Sequence, residues 1–211
     1  EKKKNAPKYK KALAVRVILK SKPELNINEQ NISLMMGGNV HIVLYPINKK
    51  NELNMVCIIR SKKYDPDKIK SLINKVVLKQ NPNLEKLFNN DVKSWPLYFT
   101  SKILPSANKK VFYIGDAFNG FLPTMAQGAG QSIESAYEIF SLLQKDKLDE
   151  NNTYFEERSK KVKIIRKRSN LNFFIFHFSS SIMKKIRNIF LKFLVKRKTF
   201  IESYLGKIYK N

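Results

Sequence analysis

The residues best placed to do chemistry lie between Val111 and Leu143. A short apolar run, Val111 to Ile114, ends in Gly115-Asp116. A loop with Gly120 and Pro123 follows, and then Gln127-Gly128-Ala129-Gly130-Gln131 opens a helical pattern. A carboxylate just past a strand can accept hydrogen bonds from sugar or polyol hydroxyls. Backbone N–H groups at a helix start, with no side chains in the way, favour an electron-rich or anionic group. Together these suit a cofactor with a polyol chain and a charge-accepting ring. The plainer alternative is that Gly115-Asp116 only turns the chain and Gly128 and Gly130 only permit close packing.

Several elements must position these residues. Ala12–Leu19 has strand propensity, with residues 1–11 as an incoming connection. Ile32–Met36, the turn Gly37-Gly38-Asn39 and Val40–Ile47 read as a hairpin. Val40, Ile42 and Leu44 share one face, and His41, Val43 and Tyr45 the other. Pro46 cannot donate to a ladder and belongs at a strand end or edge. Leu53–Arg60 pairs back, giving an antiparallel sheet of at least three strands. Asp65–Asn89 turns helical, Trp95–Phe99 is extended, and Pro105–Lys110 is a loop. Val111–Ile114 is expected as a short buried strand. Ile133, Ala136, Tyr137, Phe140 and Leu143 form a helical apolar stripe. From Thr153 onward the chain reads as helical and basic.

Composition narrows the classes. The 211 residues carry 41 Lys and Arg against 17 Asp and Glu, a net charge of +24. Only seven of the basic residues are Arg, the type suited to bidentate base and phosphate contacts. Lys, Asn and Ile together supply 76 residues, a bias that AT-rich codons explain. Nucleic-acid binding is therefore not expected, and the +13 of residues 151–211 reads as a solvated face rather than a membrane contact. One cysteine and two histidines exclude a disulfide framework and argue against a metal site. Cys57, His177 and Trp95 read as packing residues. A cytoplasmic location is expected.

The ordered string from Val111 to Ala136 resembles the second flavin-binding motif of the flavin-dependent aromatic hydroxylases, the group that includes p-hydroxybenzoate and salicylate hydroxylases. The family pattern is an apolar strand, G-D-A-A-H, three residues, Pro, and Q-G-x-G before a helix. Gly38–Ile47 is similar to the family's G-x-x-H and Y-P strand, and Trp95–Tyr98 before Leu104-Pro105 to its approach to the flavin strand. The likeness covers roughly residues 9–180. Where the family has Ala-His, this chain has Phe118-Asn119. It carries no G-x-G-x-x-G and no D-G motif, which the family places earlier.

The resemblance implies an α+β fold: the C-terminal part of a two-domain FAD monooxygenase, without its N-terminal Rossmann part. Residues 1–104 would be the substrate-domain sheet and helices, 105–150 a returning FAD-domain segment, and 151–211 basic C-terminal helices. It implies FAD as cofactor, with Asp116 on the ribityl chain, Pro123 at the reactive ring edge, and the backbone of Gly128, Ala129 and Gly130 at the pyrimidine end. Gly115, Gln127 and Gln131 complete the cofactor set, and His41 and Tyr45 are substrate-lining candidates. NAD(P)H would be the reductant, and O2 and a small aromatic compound the substrates. The catalytic chemistry would belong to the flavin, with no protein nucleophile. The rival readings are a non-hydroxylating flavin oxidoreductase of the same fold and a basic nucleic-acid or membrane-binding module.

Overall fold

The computed structural model describes residues 6–20, 31–50, 52–89, 91–100, 105–106, 108, 111–145 and 151–209. Five strands, β1 (Lys8–Leu19), β2 (Ser33–Met36), β3 (Val40–Ile47), β4 (Glu52–Arg60) and β5 (Lys93–Phe99), form one sheet in the order β2-β3-β4-β1-β5. β2, β3, β4 and β1 pair antiparallel in sequence. β1 begins four residues earlier than expected, because its polar start still finds a ladder partner region at Ser61, whose N–H donates to Lys11. Helices α1 (Ile69–Ile73), α2 (Gly115–Phe118), α3 (Gly128–Gln144), α4 (Asn151–Phe176), α5 (Ser181–Leu194) and α6 (Lys198–Tyr209) complete the described elements, with 3-10 and π turns between β4 and β5. None of these helices is long and apolar enough to cross a membrane.

Two compact units divide the chain. One comprises residues 9–97 and 174–190, the other residues 1–8, 98–173 and 191–211. The basic C-terminal region contributes to both units.

In the sheet unit, period-two alternation sets the core. Leu13, Val15 and Val17 on β1, Val40, Ile42 and Leu44 on β3, and Met55, Cys57 and Ile59 on β4 lie on one face with Ile69, Ile73, Val77, Leu84 and Leu87. Each such burial stabilises by roughly 1.5–3 kcal/mol. The thiol of Cys57 sits wholly inside, and burial pushes its pKa up. The β2–β3 turn closes with Gly37 N–H on the Val40 carbonyl at 2.9 Å. Gln80 clamps it further, accepting from Gly38 N at 2.7 Å and donating to Gly38 O at 2.9 Å. Pro46 sits beyond Leu44, where the described part of β2 stops, so its missing N–H breaks no described ladder bond.

The second unit has its own core of Phe118, Tyr154 and Val162, with Phe112, Phe121, Ile139 and Leu142 packed on it. One expectation fails here. Val111–Ile114 is not a buried strand: Ile114 is extended (φ −128°, ψ 162°), but the segment joins no described ladder, and Val111, Tyr113 and Ile114 are exposed. A strand exists only where a neighbour takes its N–H and C=O groups; here Val111 N makes a turn bond to Asn108 O, the Tyr154 hydroxyl donates to Tyr113 O, and Ile114 O accepts from the N–H groups of Ala117 and Phe118 in the following turn. The apolar stripe of α3 is real, yet it faces outward: Ile133 is 71% and Tyr137 69% exposed. The inward side of α3 is polar at its start, with Gln131 and Ser135 buried, and apolar further on, where Ile139 and Leu142 pack on the core.

Candidate functional site

The site-forming turn depends on a glycine. Gly115 has φ +53°, a left-handed conformation that costs a side-chain-bearing residue about 1–2 kcal/mol. A Cβ there would also lie 2.6 Å from Ser132 Oγ. Glycine thus lets the Gly115-Asp116 turn press against the first turns of α3, and Asp116 emerges from it with an exposed carboxylate in the first turn of α2. Pro123 opens the 3-10 turn Pro123–Met125, and Ala126, at φ 51°, reverses the chain into Gln127 and α3.

No side chain caps α3 at Gln127. The first three N–H groups of a helix have no partner within it, and here they belong to Gly128, Ala129 and Gly130. A Cβ on Gly128 or Gly130 would meet no atom within 4 Å. Glycine is therefore not demanded by packing against the described residues; it leaves bare backbone facing open space among them.

The loop is held from behind. Thr124 donates to the Ser169 carbonyl at 2.7 Å, and Ser169 donates to Leu122 O at 2.8 Å. Thr100 donates to Asn119 Oδ1 at 3.2 Å and accepts from Gly120 N at 3.1 Å. Asn119, where the resembled family has histidine, is fully buried, and its Nδ2 has no partner among the described residues.

The support of α3 was not legible in sequence. Arg158 of α4 is 1% exposed and donates to Gln131 O at 2.7 Å, Gln131 Oε1 at 2.8 Å and Glu138 Oε1 at 3.0 Å. Glu134 lies 3.3 Å from the same guanidinium and also pairs with Lys161. Burial raises the Glu138 carboxyl pKa, and Arg158 opposes the rise. The Gln131 side chain is thus turned inward to Arg158 and Glu134, and Gln127 is buried beside it at 3.3 Å.

The sheet candidates separate. His41 is buried, with Nδ1 3.1 Å from His177 Nε2 and its ring edge-on to Phe176. Burial, with His177 beside it, lowers its pKa to about 3. Tyr45 stays half-buried opposite Asn54 on β4. Asn54 is an addition: fully buried, it accepts from Arg16 Nε at 2.6 Å, and its Nδ2 has no partner among the described residues. Only the polar interruption of the strand LNMVCII marks it in sequence.

Whether these residues suit a flavin is tested by their own chemistry. Bare N–H groups facing open space, an exposed carboxylate one tight turn away and an orphaned amide donor at Asn119 match the ring and ribityl portions. Nothing in the sequence supplies a G-x-G-x-x-G loop for a pyrophosphate. The fit is to the ring side.

The fold places the chain in a class. It matches Klebsiella pneumoniae HpxO complexed with FAD and uric acid (TM-score 0.76, 12% identity, 97% of this chain and 54% of that one). It also matches a salicylate hydroxylase substrate complex (TM-score 0.72, 15% identity, 97% and 55%) and tetracycline destructase Tet(51) (TM-score 0.63, 15% identity, 100% and 57%). The architecture is that of the C-terminal half of FAD monooxygenases, and the chain spans a little over half the length of these structures. A search of curated proteins finds no match. The squalene epoxidase family model matches residues 7–205, and the chain belongs to that family.

Proposed function

We propose that the chain forms the flavin-ring side and the substrate sheet of an FAD-dependent monooxygenase. The observation that carries this is the contact of the Gly115-Asp116 turn with α3, which sets an exposed carboxylate beside an uncapped, side-chain-free helix start. When bound, the flavin supplies the redox chemistry, drawing electrons from NAD(P)H and one oxygen atom from O2.

Each protein group has a holding role. Asp116 accepts a hydrogen bond from a ribityl hydroxyl. The N–H groups of Gly128, Ala129 and Gly130 meet the pyrimidine end of the ring, where the helix dipole favours negative charge. Pro123 stands at the ring edge without a donor of its own. Gln131 acts through Arg158, fixing the direction of the α3 first turn. Tyr45 and the orphaned Asn54 Nδ2 offer the substrate one hydroxyl and one donor on the strand face that also carries His41 and Arg16. The substrate class is an electron-rich unsaturated carbon, a small aromatic compound or, as the family description suggests, an alkene.

The test is flavin retained per protein after gel filtration, read at the flavin absorbance band. A charge-assisted hydrogen bond contributes about 1.5–3 kcal/mol, so Asp116→Ala weakens retention roughly ten- to a hundredfold. Asp116→Asn keeps an acceptor and costs less. Circular dichroism stays unchanged, because Asp116 is exposed. Equal retention by wild type and Asp116→Ala would remove the assignment.

A further inference from the structure

A cavity of about 490 Å³ in the sheet unit is not used by the flavin reading. Its floor is apolar, with Met36 and Val40 from the β2–β3 hairpin and Val77 and Leu84 from the helical insert. Its other wall is α5, which presents Lys184, Lys185 and Arg187, and no carboxylate lines it.

Arg187 is the informative residue. It is 4% exposed, yet no carboxylate pairs with it among the described residues. The chain has no Asp or Glu between Glu157 and Glu202. Its partners are neutral: Asn188 Oδ1 at 3.0 Å, the carbonyls of Phe176 and Met36 at 3.3 Å, and that of Ile175 at 3.5 Å. Two of these carbonyls end α4, where the helix dipole offers about half a negative charge. A buried cation without a full counter-charge carries a desolvation cost that neutral carbonyls offset only in part. Lys184, half-buried on the same wall, brings a second cation to it.

We propose that this cavity binds an amphipathic anion, an apolar chain with a carboxylate or phosphate head, the head on Arg187 and Lys184 and the chain over Met36, Val40 and Leu84. The volume lies within the range of small-molecule sites. Nε and Nη1 of Arg187 are held by Asn188, Ile175 and Phe176, so the head meets the remaining Nη2–H together with the Lys184 ammonium. The proposal is independent of the flavin assignment.

Calorimetric titration of the chain in about 150 mM salt, where surface attraction is screened, tests it. The probes are dodecanoate, dodecyl phosphate, dodecanol and inorganic phosphate, all as monomers. The two amphipathic anions are expected to bind one to one, with dodecanol and inorganic phosphate at least tenfold weaker, about 1.4 kcal/mol. Arg187→Gln is expected to weaken dodecanoate at least tenfold and leave dodecanol unchanged. Should Arg187→Gln fail to fold, the double variant Lys184→Gln/Lys185→Gln decides, with an expected loss of at least threefold. The idea is overturned by dodecanol matching dodecanoate, by inorganic phosphate matching it, or by no dodecanoate binding. Unchanged affinity in the variants also overturns it. Binding to phosphatidylglycerol vesicles that dodecanoate does not displace would assign the charge to a membrane surface instead and overturn the cavity.

Discussion

The guanidinium of Arg158 holds both the main-chain and the side-chain oxygens of Gln131, at 2.7 and 2.8 Å. Two sites 27 residues apart are joined, so α4 sets where the first turn of α3 points. Arg158 is a positioning residue in this sense. Gln131 follows directly on the glycines whose N–H groups form the candidate flavin contact.

Arg158→Met breaks this arrangement and leaves Glu134 and Glu138 facing each other. Removing one partner of a buried ion pair costs about 3–5 kcal/mol; the two glutamates are 27% and 37% exposed and rehydrate in part, which points to the lower end. The urea midpoint at pH 7 should fall accordingly. Arg158→Lys keeps the charge but not the fork, and should recover stability more than it recovers flavin retention. Equal recovery of both would give Arg158 a purely structural role.

Gly115→Ala adds a strained backbone conformation and a Cβ 2.6 Å from Ser132 Oγ. The expected destabilisation is about 1–3 kcal/mol. Ser132→Ala removes the nearest of the clashing atoms and leaves the strain and the Ser132 Cβ at 3.2 Å. A double-mutant cycle should therefore show a favourable coupling between the two changes. Strict additivity would mean that the turn does not press on α3.

The pair His41–His177 gives the sheet unit a pH dependence. His177 Nε2 is 3.3 Å from the Ile58 carbonyl, which can only accept, so Nε2 carries the proton and His41 Nδ1 accepts from it. Protonating His41 at Nδ1 would set two donors face to face. Its pKa is lowered from 6.5 to about 3, so the neutral ring is what the fold stabilises. The contribution is complete above pH 6.5 and is lost as pH falls from there toward 3, by up to about 1.4 kcal/mol per pH unit. Urea unfolding at pH 7.5 and 5.5 should show the loss, and His41→Gln, which cannot titrate, should flatten it.

How much of this was readable in sequence depends on whether a residue's partner is local. The hairpin around Gly37-Gly38-Asn39 was legible, because alternation in Val40, Ile42 and Leu44 fixes the face and the turn residues fix the register. The order of Gly115, Asp116, Pro123 and Gly128 was legible as a motif for the same reason. The α3 stripe was legible as a helix but not in its orientation. Its polar side is buried through Arg158, a long-range partner that periodicity cannot see. Val111–Ile114 has strand composition, but pairing needs a neighbour, and composition does not provide one. The Asn54–Arg16 pair was missed because a polar residue inside an apolar strand reads as noise until its neighbour across the sheet is known.

The glycines of α3 allow stability and cofactor binding to be pulled in opposite directions. A Cβ at Gly128 or Gly130 meets nothing within 4 Å among the described residues, so Gly128→Ala and Gly130→Ala create no clash with them. Glycine inside a helix is less favourable than alanine by about 0.8–1 kcal/mol. Each variant should therefore unfold at an equal or slightly higher urea concentration. The same methyl groups would fill the space in which the flavin ring meets the N–H groups. Retained flavin should thus fall by about tenfold or more per substitution, corresponding to about 1.4 kcal/mol. If the glycines instead served packing, both measurements would worsen together. If stability held and flavin retention did not change, the open space before α3 would not be where the ring sits, and the ring-side assignment of this helix start would be lost.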